Sequence, residues 1–325
     1  MLAALVIYTL SAGADFGGGA WLVFASGPRA DDQRDLVDDA IGPIWEANHV
    51  WLILVVVLLF VCFPLAFAAI STALHIPLTV MLIGVVLRGS AFAFLHAYTH
   101  AEHHDPAPRR WARVFAVASL VTPVTLGVTL GALSTGLELD PLTHRVRTDF
   151  FSEWLAPFPF AVGLFTLLLF AFLAAVYLAD EARRDPDLSD MFRRRALISA
   201  GLVAAAALLT FLVAPARLQA GLADSPWAVA LHLATGLAAL AAIVLLVRRR
   251  LRAARLAAML QVGLIVLGWA LAQHPHLAWP HLTITAAAPR SVLVPVLIAL
   301  GLGALLLIPA LAYLFVVFKG RARKT

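Results

Sequence analysis

Three ionisable side chains sit where a very apolar chain has little reason to keep them: Asp15, Glu46 and Arg88. Asp15 interrupts the stretch Met1 to Phe24, in which no other acid or base occurs apart from Tyr8 and the amino terminus. Charge at the centre of a bilayer costs at least ~2.5–3.5 kcal/mol on insertion scales, so a carboxylate there points to proton or ion handling, or to a buried structural pair. Gly13 and Gly17 flank it at i, i+4 and give that helix a flat face on which a neighbour can seat closely. The second cluster reads Gly42-Pro43-Ile44-Trp45-Glu46-Ala47-Asn48-His49-Val50-Trp51. Pro43 suits a first helical turn, where its missing N–H is unpaired anyway, and Glu46 then meets the positive end of the helix dipole. Trp45 and Asn48, like Glu46 and His49, are three apart and share a helix face. An acid at a membrane mouth with a second acid deeper in the bilayer suits a water-assisted proton path; an N-terminal cap with an interfacial tryptophan is the plainer alternative. Arg88 must find an acid, carbonyls or a ligand, because guanidinium does not readily deprotonate, and Asp15 is a candidate partner.

Other chemistries fare worse. His96, His100, His103 and His104 fall at i, i+4, i+7 and i+8 and mimic a metal site, but they share a polar loop with Glu102 and Asp105. His274, His276 and His281 form a second loop cluster of the same kind. No histidine stands at the centre of an apolar stretch, so the sequence predicts neither haem ligation nor a metal site in this chain. Cys62 is the single cysteine, which excludes internal disulfides and cysteine-based clusters. The triplet Asp15-Phe16-Gly17 has none of the context of a kinase metal motif.

The elements that must position these residues follow from hydropathy. The chain is 62% hydrophobic and 13% charged over 325 residues, too apolar for water to be its solvent. Nine stretches are long enough to cross a bilayer, at about 1–25, 48–70, 74–97, 112–136, 154–179, 194–216, 226–247, 253–273 and 291–318. None alternates with period two, so the expected fold is an all-α polytopic membrane protein forming a single integral domain over 1–325. The first stretch has no basic residue ahead of it and reads as a retained helix. Nineteen of the 24 Lys/Arg fall in alternate loops and the C-terminal tail, four in the remaining loops, and Arg88 lies inside the third span. That sorting puts the N-terminus outside and the C-terminus in the cytoplasm, and it accounts for the net charge of +5 without any nucleic acid. The runs Arg183 to Arg195 and Arg248 to Arg255 read as topology anchors.

Tyr8…Gly13-Ala14-Asp15-Phe16-Gly17, Ile44-Trp45-Glu46-Ala47-Asn48-His49-Val50-Trp51-Leu52-Ile53, Phe63-Pro64 and Leu87-Arg88-Gly89-Ser90-Ala91-Phe92 together resemble subunit II of cytochrome bd-type quinol oxidases. The likeness covers the first half of the chain and fades to hydropathy in the second. It implies two four-helix bundles plus one peripheral helix in a bacterial inner membrane. It also implies a heterodimer with a subunit I that carries b and d haems, oxidises quinol and reduces oxygen to water. A small accessory membrane subunit and a structural quinone against Trp45 belong to the same expectation. This chain would bind no haem and hold no catalytic residue. Asp15 and Glu46 would be proton-path acids, with Trp45, Asn48, His49 and Arg88 flanking. The chain departs from the family at Phe92-Ala93-Phe94-Leu95, where many relatives read Phe-Glu-Phe-Arg, and at Ala132, where an asparagine is common. Two other readings stay open from the residues alone: a secondary transporter with an Asp15/Arg88 substrate site, and a non-catalytic scaffold subunit.

Overall fold

A computed structural model describes residues 1–41, 45–97, 107–140, 146–147 and 150–321, with backbone only at 41, 45–46, 96–97, 107–109 and 315–321. Eight helices are long and apolar enough to cross a membrane, or nine if one sharply bent pair counts as a single span. A helix rises about 1.5 Å per residue, so the 21 residues of α1 (Leu2–Leu22) cover roughly the 30 Å hydrocarbon core. The others are α5 (His75–Ala97), α6 (Ala107–Thr135), α7 (Pro157–Glu181), α8 (Pro186–Leu212), α10 (Ala228–Val247), α11 (Leu251–Gln273) and α12 (Arg290–Arg321).

The bent pair is α3 (Trp45–Cys62) with α4 (Pro64–Ala73), where the sequence predicts one continuous span over 48–70. Phe63 leaves helical geometry at φ −137°, ψ 59°, and the axes diverge by 118°. Proline explains the break: Pro64 has no N–H to give, and its ring clashes with the preceding turn. Prolines also open α7 and α8, where a first-turn N–H has no helical partner to lose. Asp185 caps α8 by accepting from the Leu188 amide at 3.1 Å. Two short surface helices complete the set, the polar α2 (Ala30–Ile41) and α9 (Ala216–Ala223). A small hairpin, β1 (His276–Ala278) and β2 (Leu282–Thr283), covers the end opposite α2.

The spans group as two bundles. Helices α1, α3, α5 and α6 pack in sequence on one side and α7, α8, α10 and α11 on the other, with α7 packed extensively on both α6 and α1. The seam between them is made by α6 and α1 against α7, with α11 also touching α1. At Gly17 that seam is so close that a Cβ would stand 2.0 Å from the Phe170 carbonyl oxygen. Small residues are the standard means of close helix approach in lipid, where packing and polar contacts replace the hydrophobic drive. The longest buried cluster runs along α7, α8, α10 and α11, with Phe172, Leu173, Val203, Leu246 and Val262 at its heart. Helix α12 stands apart: its contacts within the chain are mainly with α3, and none of its spanning window is buried.

Candidate functional site: a buried ion pair beside a polar cleft

Helix α1 carries Asp15 into the middle of the first bundle, where the residue is 3% exposed. Arg88, on α5, is 1% exposed and reaches it from the opposite side. The guanidinium donates from Nη1 to Asp15 Oδ2 at 3.0 Å and from Nη2 to Oδ1 at 2.6 Å. Nη2 also reaches the Asp15 carbonyl at 3.2 Å. Nε donates to Ser119 Oγ at 3.0 Å, and that hydroxyl donates on to the Phe115 carbonyl at 2.7 Å. The guanidinium carbon lies over the rings of Phe16 and Phe115, 4.8 and 4.6 Å from their centroids. The planar fork therefore has a paired acceptor on its edge and two aromatic rings against it, the environment in which Arg differs most from Lys. Gly19 makes room for this arrangement, since a Cβ there would sit 2.2 Å from Ser119 Oγ. Of the candidate partners for Arg88, Asp15 is the one the fold supplies.

The remaining sequence candidates divide. Asn48, on α3, is 3% exposed, and its Nδ2 has no hydrogen-bond partner among the described residues. His49 is half-buried, with its ring 5.9 Å from Phe16 and 6.3 Å from Tyr8, centroid to centroid. Trp45 and Glu46 occupy the first turn of α3, but their side chains lie outside the described residues, as do Gly42, Pro43 and Ile44. The loop histidines His100, His103 and His104 lie outside as well, together with the side chain of His96. Among the described residues no group of three or more His, Cys, Asp or Glu comes together in a way that could hold a metal ion.

Beside the ion pair is a cleft of about 340 Å³ between α1, α3, α7 and α11. Its polar lining is Ser11, Asp15, Asn48, Tyr177, Glu181 and Arg255; Leu10, Ala14, Leu178 and Met259 supply apolar wall. Tyr177 and Glu181 are one helical turn apart on α7, so they present on one face. Arg255 Nη1 stands 3.6 Å from both Glu181 Oε1 and Asp180 Oδ2, and its guanidinium carbon lies 4.3 Å over the Tyr177 ring. Sequence reasoning missed this half of the site. It reads the runs containing Arg183 and Arg255 as topology anchors, and Glu181 is hidden among them. The available signal is the opposite charge of Glu181 and Arg255 at the ends of two apolar stretches that face the same compartment.

The end of the molecule bearing α2 is closed by ion pairs. Arg29 grips both carboxylate oxygens of Asp185 and donates from Nε to Asp32 at 2.7 Å. The Arg29 guanidinium, with help from the Leu188 amide, holds the Asp185 carboxyl down at about 2, and the two carboxylates raise Arg29 above its ordinary value. Gln33 ties α2 to α8 by accepting from Arg195 at 2.9 Å.

A family model described as cytochrome bd terminal oxidase subunit II matches residues 1–318. Cytochrome bd ubiquinol oxidase subunit 2 of Bacillus subtilis is 33% identical over 108 residues, covering 33% of this chain and 31% of that protein. Cytochrome bd-I ubiquinol oxidase subunit 2 of Escherichia coli K12 is 25% identical over 176 residues, covering 54% of this chain and 45% of that protein. The aligned stretches thus span less than half of those relatives' length. The bd oxidase structure from Geobacillus thermodenitrificans matches with a TM-score of 0.73 at 21% identity, over 98% of this chain and 96% of that chain, which is a likeness of fold.

Proposed function

The chain belongs to the cytochrome bd terminal oxidase subunit II family and is a multi-pass inner-membrane protein, and from that premise we propose that it is the haem-free subunit of a bd-type quinol oxidase. In this reading it forms a heterodimer with a subunit I that holds b and d haems, and a small accessory membrane subunit completes the complex. The complex oxidises quinol and reduces oxygen to water; the haems supply the oxygen and electron chemistry, and this chain supplies architecture and protons. The N-terminus faces outward, so α2 and the inner ends of α1 and α7 face the cytoplasm.

The observation that carries the proton role is the position of Asp15. It lines the cleft while both its carboxylate oxygens accept from Arg88. The pair is electrically neutral with Asp15 ionised. Glu46, at the first turn of α3, is the mouth acid of this path. Asn48, three residues from Trp45 and two from Glu46, lines the cleft and has a buried Nδ2 without a partner among the described residues, which a bound water would satisfy. His49 and Arg88 flank the path, and Trp45 is the contact for a structural quinone. The transporter alternative expects a broken helix in each of two inverted halves; among the described residues the single break is the one between α3 and α4.

Purification of the tagged chain from its native membranes, followed by a reduced-minus-oxidised optical spectrum and quinol-dependent oxygen uptake, tests the assembly. A co-purifying haem-rich membrane subunit supports the reading; a colourless, partnerless but folded chain sinks it. Asp15→Asn and Glu46→Gln should each slow oxygen uptake with haem content intact, and full turnover in both would remove the proton role.

A further inference from the structure

The cleft has a charged end at Glu181 and Arg255. From Asp15 and Asn48 its polar lining continues through Ser11 and Tyr177 to Glu181 and Arg255 at the inner ends of α7 and α11. Two features fit a water-filled conduit. The volume of about 340 Å³ is well above the roughly 10–15 Å³ that one water needs. Asn48 lines the cleft, and its buried Nδ2 lacks a partner among the described residues, a donor that one bound water beside the cleft would satisfy. Glu181 is 36% exposed in its side chain and thus meets bulk solvent, whereas Asp15 does not. Arg255 Nη1 sits 3.6 Å from Glu181 Oε1, an ion pair beyond the distance of a tight bidentate grip.

We propose that Glu181 is a second cytoplasmic proton inlet of this subunit, feeding Asp15 through the cleft in parallel with Glu46. This rests on the proton-path reading above. A proton picked up at Glu181 crosses on waters past Tyr177 and Ser11 to the Asp15 carboxylate. Among the groups near Glu181 are Arg255 and Tyr177, with Asp180 adjacent and itself within 3.5 Å of Arg183. Arg255 pairs with Asp180 and Glu181 while Arg88 pairs with Asp15, so the two ends of the cleft can be altered separately.

The test uses the purified complex with its full haem content and measures quinol-driven oxygen uptake from about pH 6 to 9. Two parallel inlets predict a loss of roughly 2–5-fold in Glu181→Gln and in Glu46→Gln, and of about 10²-fold or more in the double variant, the scale of a removed proton-transfer group. The single losses should deepen as pH rises and protons become scarce, and Glu181→Asp should restore most of the activity. Ser11→Leu, which fills the cleft without touching a charge, should reproduce the Glu181→Gln profile. If the double variant merely equals Glu46→Gln, the second inlet is overturned and the first stands. Full turnover in Asp15→Asn overturns both. Recovery of about one quinone or lipid per complex by organic extraction, lost in Ser11→Leu, would make the cleft an amphiphile site and likewise overturn the inlet.

Discussion

Replacing Arg88 with Met should be among the most damaging single changes to the membrane domain. The methionine keeps most of the length and apolar stem but removes the three contacts to Asp15 and the one to Ser119. Asp15 is left as a carboxylate that is 3% exposed in an apolar bundle. Removing one partner of a buried ion pair costs about 3–5 kcal/mol, which is roughly a 140- to 3,700-fold shift at about 1.4 kcal/mol per tenfold. Removing both charges should recover most of that, because a well-packed apolar pair is commonly neutral or stabilising beside the ion pair it replaces. The assay is a double-mutant cycle over wild type, Arg88→Met, Asp15→Leu and the double variant, read as unfolding free energy in detergent or lipid discs. A coupling energy of about 3 kcal/mol or more is expected, with the double variant near wild type in stability but slow in oxygen uptake. A cost below about 1 kcal/mol for Arg88→Met would refute the argument, since that is the magnitude of a solvent-exposed pair. A double variant with full turnover would separate stability from function and leave the pair purely structural.

Three further outcomes can be checked on the same material. Gly17→Ala drives a methyl group to 2.0 Å from a backbone carbonyl that cannot rotate away, so it should lower stability by at least about 1–3 kcal/mol. Gly201→Ala, with nothing within 4 Å of its added Cβ, should be neutral or stabilising by up to ~1 kcal/mol, and a thermal melt of both distinguishes crowding from helix propensity. Asp185 is held at about 2 by Arg29, below its ordinary 3.8. Its contribution is therefore complete above about pH 4 and lost as pH falls from there toward 2. Asp185→Asn should weaken the α2 closure at neutral pH and flatten that acid limb of a melting-temperature profile. Pro64→Ala restores the N–H that α3 would need to continue, so the α3–α4 bend should become less sharp, as read by spin-label distances between positions 56 and 71.

Much of this architecture is visible in the one-dimensional chain because lipid imposes a one-dimensional rule. A backbone in hydrocarbon must satisfy its own hydrogen bonds, so each long apolar stretch has to become a helix, and basic residues must sort by side. Composition alone thus dictates an all-α polytopic protein, and the residues Asp15, Asn48 and Arg88 stand out by the cost of burying them. The block from Ile44 to Ile53 also carries the family resemblance. What the sequence could not settle depends on partners distant in the chain. Arg88 and Asp15 are 73 residues apart, and no local pattern says that α5 crosses α1 at that height. Ser119 joins them from α6, and it looks like any small residue in an apolar run. Glu181 and Arg255 read as anchors because charge at a span end serves topology in every membrane protein; only the packing of α7 and α11 against α1 places them at the mouth of a cleft leading to Asp15. Helix formation and sidedness are set by each segment's own exchange between water and lipid, whereas which faces meet is set by close packing across the seam, a property no single segment contains.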